Sequence, residues 1–174
     1  MKIFAILSFL FLIGCSGNIY PWEKGTSFEQ ALERAENKLI LLDFYSDNWG
    51  GCVRLDAETF TNDDVIEFSK KHFISLKYDA WYDSTGKELF SNYNGYAIPL
   101  LVFINSKGEE VDRIVGFKPH DEYLSFINNV VDGKSTYLDL YNKFKSGERS
   151  ESILEVLSDK SDIMKNDDLS YDIY

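Results

Sequence analysis

Cysteine is scarce in this chain: Cys15 and Cys52 are the only two among 174 residues. Two thiols cannot build the multi-disulfide framework that stabilises many small secreted domains, so packing must hold the core. Histidine is equally rare. His72 and His120 have no partners at ligand spacing, and no metal or cofactor is expected. Basic residues are outnumbered, 18 Lys and Arg against 29 Asp and Glu, giving a formal net charge of −11. Such a chain has no basic patch to neutralise phosphates, which argues against nucleic acid as a partner. Gly86-Lys87 lacks the glycine and hydroxyl residues of a phosphate loop, and the Asp-rich C-terminus lacks the glycine and spacing of a calcium loop. The apolar run at residues 3–13, broken only by Ser8, falls short of the ~20 residues that cross a bilayer.

What is present is sufficient for one packed domain with additions. Hydrophobic residues make up 44% and aromatics 16% of the chain. Met1-Lys2 supplies a short positive segment ahead of residues 3–13, and Leu12-Ile13-Gly14-Cys15 follows. This array resembles the signal peptide and lipobox of bacterial lipoproteins. The resemblance implies that residues 1–14 are removed, that the Cys15 thiol is diacylglyceryl-modified, and that residues 15–25 form a lipidated tether. More than one acyl chain makes such an anchor stable. The ten residues 16–25 reach at most ~35 Å, which would keep the domain close to its membrane. The expected location is the bacterial cell envelope, facing the periplasm, with Ser16 after Cys15 favouring the outer membrane. The alternative is a buried first element carrying an incidental cysteine. With Cys15 consumed as an anchor, Cys52 is alone and has no intramolecular disulfide partner.

The remaining chain predicts an α/β domain over residues 26–133. Thr26-x-x-Glu29 or Ser27-x-x-Gln30 can open a helix with Phe28, Ala31, Leu32 and Ala35 on one face. Residues 38–45 (KLILLDFY) form an apolar run broken only by Asp43, which suits a central strand buried on both faces. Trp49-Gly50-Gly51-Cys52 opens a helix that pauses near residues 60–62 and restarts. Residues 72–79 predict a second strand, residues 86–93 a short helix, and residues 100–104 a third strand after Ala97-Ile98-Pro99. Asn105-Ser106-Lys107-Gly108 is a hairpin signal, so residues 109–116 pair back on the third strand. Pro119 can begin the last domain helix. Residues 134–158 predict a short helical extension around Gly147, and residues 159–174 a frayed acidic tail. Two strands joined by a helical crossover, followed by a hairpin, imply a mixed central sheet with helices on both faces.

Three segments carry a second resemblance: KLILLDFYSDNWGGCVRLDAETF at 38–60, residues 75–79, and YAIPLLVFINSKGEEVDRIVGF at 96–117. Together they resemble the thioredoxin superfamily, most of all its envelope members such as the C-terminal domain of the membrane thiol–disulfide interchange protein. Laid ungapped on that family's pattern, Asp43 takes the buried-acid place and Trp49 the place of the attacking cysteine. Cys52 takes the resolving place, Glu58-Thr59-Phe60 the helix break, and Pro99 the place of the cis-proline. The family's CxxC is thus degenerate here (WGGC). In the family the buried acid helps to deprotonate the resolving cysteine, which makes Asp43 a candidate proton acceptor beside Cys52.

Dithiol exchange needs a low-pKa thiolate at an exposed helix N-terminus and a second thiol to resolve the mixed disulfide. Trp49 offers no nucleophile. Two functions remain open. In one, the domain is a non-catalytic module that holds an envelope protein or peptide through Trp49, Gly50, Gly51, Ile98 and Pro99, with Ile98 offering main-chain groups to an extended segment. In the other, Gly50 and Gly51 delay the helix start, Cys52 falls in the first turn, and a monothiol enzyme results. Cys52 as a small buried hydrophobe, and Pro99 as an ordinary trans residue at a strand edge, are the plain alternatives. Trp49, Trp81 and Tyr96 belong either to the core or to an aromatic rim around the groove.

Overall fold

The computed structural model describes residues 19–165. The expected signal peptide over 1–14, the expected lipidation site Cys15 and the last nine residues of the chain lie outside them. Among the described residues the fold is a four-stranded sheet with seven α-helices. Strands β1 (Leu39–Tyr45), β2 (Phe73–Asp79), β3 (Leu100–Ile104) and β4 (Glu110–Val115) lie in the order β2-β1-β3-β4. β1 and β2 are parallel, and β3 and β4 are antiparallel to their neighbours.

Composition explains the layout. β1 and β3 are central and buried along nearly their whole length, so they read as continuous apolar runs. One face of the sheet packs Ile40, Leu42, Phe44, Leu100 and Val102 against α1 (Phe28–Arg34) and α4 (Ser84–Asn92). The other packs Leu41, Leu101, Phe103 and Ile114 against α3 (Asp63–His72) and α5 (His120–Asp132). Ser27 and Gln30 form the capping box of α1, and Gly133, in the left-handed region, ends α5. Between β1 and α3 lie α2 (Gly50–Arg54) and a π-helical turn at Leu55–Thr59. No helix among the described residues is long and apolar enough to cross a membrane.

Two boundaries differ from the sequence expectation. The tether does not run free to residue 25. Tyr20 is buried, its ring lies 4.4 Å from Trp22 and 4.5 Å from Phe60, and Trp22 bridges to Ser75 of β2. Two large aromatics in a short segment have more to gain from burial than from remaining solvated. At the other end the helical extension does not stop at 158. Helices α6 (Tyr137–Lys145) and α7 (Glu151–Met164) form a hairpin, and α7 carries buried Ser161 and Met164 beyond the expected boundary. The acidic residues there lie on the solvent side of a helix whose Ile153, Leu157 and Met164 pack on Tyr137, Leu140 and Phe144. The hairpin docks on β4. Buried Asp112 accepts from the Tyr137 main-chain N–H at 3.3 Å and from Lys160 Nζ at 2.5 Å.

Candidate functional site: a Trp-Gly-Gly-Cys turn above a buried aspartate

The site lies where β1 and β2 end and β3 begins. β1 delivers the chain into a turn at residues 46–49, and α2 starts at Gly50. Trp49 is the N-cap residue, with φ −90° and ψ 119°, and its side chain makes no capping hydrogen bond. The positive end of the helix therefore faces an indole that is 55% exposed.

Cys52 is the third residue of α2, inside its first turn, and its side chain is only 3% exposed. A helix N-terminus lowers a thiol's pKa. Here burial outweighs it and pushes the thiol up to about 11, with the nearby Asp43 charge acting in the same direction and a Ser46 main-chain hydrogen bond opposing. Cys52 thus falls in the first turn, as the monothiol alternative required, yet it is buried.

Asp43 sits on β1 with 1% exposure. Burial raises its carboxyl to about 7, against the pull of Lys77. Lys77 is its register partner on β2, with Nζ 3.5 Å from Asp43 Oδ2. The same ammonium lies 2.5 Å from Asp56 Oδ1 and sits over the Tyr45 ring at 4.6 Å and the Trp22 ring at 5.2 Å. Burial works to lower the Lys77 pKa, but the two carboxylates outweigh it and hold the ammonium above its ordinary value. Asp43 Oδ1 has no hydrogen-bond partner among the described residues.

The Ile98–Pro99 peptide bond is cis. The ring of Pro99 lies directly against the turn: a Cβ placed on Gly51 would stand 3.0 Å from Pro99 Cδ and 3.6 Å from the Trp49 ring. Glycine at 51 is what permits this approach. The Pro99 carbonyl accepts from the Gly116 N–H at 2.8 Å, which ties the loop to the end of β4. Trp49, Gly51 and Pro99 are therefore in close contact, with the indole exposed, Pro99 and Ile98 buried, Cys52 buried beside them and the Asp43–Lys77 pair nearby. Lys77, Asp56, Tyr45 and Trp22 were not singled out by the sequence reading. A signal existed for Lys77: it interrupts an apolar strand, as Asp43 interrupts its own, and two such charges on neighbouring strands can pair.

A model of the thioredoxin-like domain matches residues 28–130, and the chain belongs to that family. Within it the chain is similar to a thiol:disulfide interchange protein, DsbD, from Actinobacillus pleuropneumoniae. The two are 25% identical over 105 residues, covering 59% of this chain and 18% of that protein. The chain spans about a quarter or less of the length of the curated relatives it matches. Among solved structures it is similar to a Bacteroides thetaiotaomicron protein described as a candidate disulphide-isomerase. That match has 35% identity and a TM-score of 0.57, over 66% of this chain and 95% of that one. The oxidised C-terminal domain of Neisseria meningitidis DsbD shares the fold, with a TM-score of 0.50, 22% identity, and coverage of 58% of this chain and 87% of that one.

Proposed function

We propose that this chain is an envelope lipoprotein whose thioredoxin-like domain holds a protein partner at the cis-proline groove and does not perform dithiol exchange. The observation that carries the proposal is the exposed indole of Trp49 at the helix N-cap, where the chemistry would need a thiolate. The thiol that remains is buried and held protonated. Exposed aromatics with low side-chain entropy suit contact with a partner better than solvent exposure alone explains.

The test is the alkylation rate of Cys52, measured near neutral pH on the folded and the denatured chain. Raising the thiol from 9.0 to about 11 lowers the thiolate fraction ~100-fold, and burial slows the reaction further. The folded chain is expected to react at least that much more slowly. A folded rate equal to or above the denatured one would mean that Cys52 acts as a monothiol nucleophile. The anchor is tested separately. Fatty-acid metabolic labelling should mark the chain and fail to mark Cys15→Ala, and equal labelling of both would refute lipidation.

A further inference from the structure

We infer that the partner presents an extended segment bearing arginine or lysine, seated on an acidic aromatic rim; this rests on the groove proposed above. Among the described residues, eight large apolar side chains are exposed, and five of them, Trp49, Val53, Trp81, Tyr82 and Tyr96, lie on α2 and two loops at one end of the sheet. Scattered exposed aromatics are ordinary, whereas several gathered at one end of a sheet mark an interaction surface.

The rim is rigidly displayed. The Ala80 N–H donates to the Tyr45 carbonyl at 2.9 Å, joining the loop after β2 to the end of β1. Asp79 Oδ1 accepts from the Trp81 and Tyr82 N–H groups, both at 2.7 Å, which fixes the turn that presents those rings. Gly86 lets α4 lie directly on this loop, since a Cβ there would collide with the Asp79 carbonyl. Preorganised rings lose little entropy when a partner binds.

Charge selects the partner. Residues 46–53, 79–83 and 93–99 contain Asp47, Asp79 and Asp83 and no lysine or arginine, and Arg54, which follows Val53, is held by Glu58 at 2.8 Å. None of these three carboxylates is ion-paired with a cation among the described residues. An acidic segment would be repelled here, and a neutral one would leave Asp47 and the second oxygens of Asp79 and Asp83, whose Oδ1 atoms accept from main-chain N–H groups, without a cation. Guanidinium and ammonium groups stack on indole and phenol faces, and carboxylates beside the rings strengthen the preference. The rim already seats one cation, for Lys165 Nζ lies 4.9 Å from the centroid of Tyr96.

The test uses tryptophan fluorescence of the full chain in mild detergent. It is titrated with three short peptides that share their apolar residues and differ only in carrying Arg, Gln or Glu at two alternate positions. The Arg peptide should bind ~10-fold or more tightly than the Gln peptide, the Glu peptide most weakly, and added salt should shrink the gap. Asp47→Asn, at an exposed position where folding is not at stake, should narrow the Arg-to-Gln ratio and leave the Gln peptide unchanged. Equal binding of the Arg and Gln peptides would overturn the charge selection while the groove stands. Failure of all three peptides to bind would overturn both the selection and the groove.

Discussion

Trp49→Cys should give the folded chain a reversible disulfide to Cys52 and measurable disulfide reductase activity, against none in the parent. An N-cap side chain lies over the N–H groups of the second and third helical residues, and Cys52 is the third. A thiol introduced at 49 would therefore stand above the sulfur already present. The cap backbone is extended, which frees this pair from the ~5–6 Å Cβ separation of residues three apart within a helix. Mild oxidation removes two electrons and two protons from the two thiols and forms one S–S bond, and a dithiol reductant reverses it. The introduced thiol faces the positive end of the helix and should ionise more readily than Cys52. Trp49 is mostly exposed, so its replacement should cost little stability. A folded variant that forms no disulfide would mean that residues 49 and 52 do not occupy the two cysteine places. Dithiol turnover by the parent chain would contradict the proposed function directly.

Asp43→Asn should stabilise the fold, with a gain that depends on pH. The carboxyl titrates at about 7 in the folded chain and near 3.8 when unfolded. Between these values the folded state holds a proton that the unfolded chain has released. Stability therefore falls as pH rises from about 4 to about 7, and the full cost persists above that window. The difference between 3.8 and about 7 corresponds to ~4 kcal/mol. Asparagine does not titrate, and Lys77 keeps Asp56 as its partner. In urea denaturation the variant should be more stable by up to ~4 kcal/mol at pH 8 and should converge on the parent near pH 4. A uniform loss at every pH would show that the Asp43 carboxylate is a net stabilising group.

The parts of this molecule that local pattern determines were legible. The run KLILLDFY marks a strand buried on both faces whatever surrounds it, and Asn105-Ser106-Lys107-Gly108 marks a hairpin because the turn itself demands those residues. Ser27 and Gln30 announce a helix start by their own reciprocal bonds. The charges at 43 and 77 each interrupt an apolar run, but that they pair with each other and with Asp56 was not legible, because it depends on the register of β1 against β2 and on where the π-helical turn begins. Neither is encoded within a few residues. The C-terminal hairpin was misjudged for a similar reason. Asp159 and Asp162 suggested a solvated tail, yet Ile153, Leu157, Ser161 and Met164 keep helical spacing along one face. The buried Asp112 that anchors Lys160 lies 48 residues away in the chain.

The hairpin has a consequence at the margin of the sheet. Asp112 points to one face of β4 and meets α6 and α7, while Glu110 and Arg113 line a cavity of about 450 Å³ with Tyr137 and Tyr141. The hairpin therefore runs along the outer border of that strand, and the Arg113 N–H is satisfied by Asp112 Oδ1 at 3.0 Å. On the opposite border, Glu23 donates its N–H to the Ser75 carbonyl of β2. Open strand borders invite pairing between neighbouring molecules. At high local concentration even weak pairing of that kind would join copies into fibres. With β4 flanked by the hairpin and β2 bridged at Ser75, copies can stand side by side with less chance of their sheets fusing.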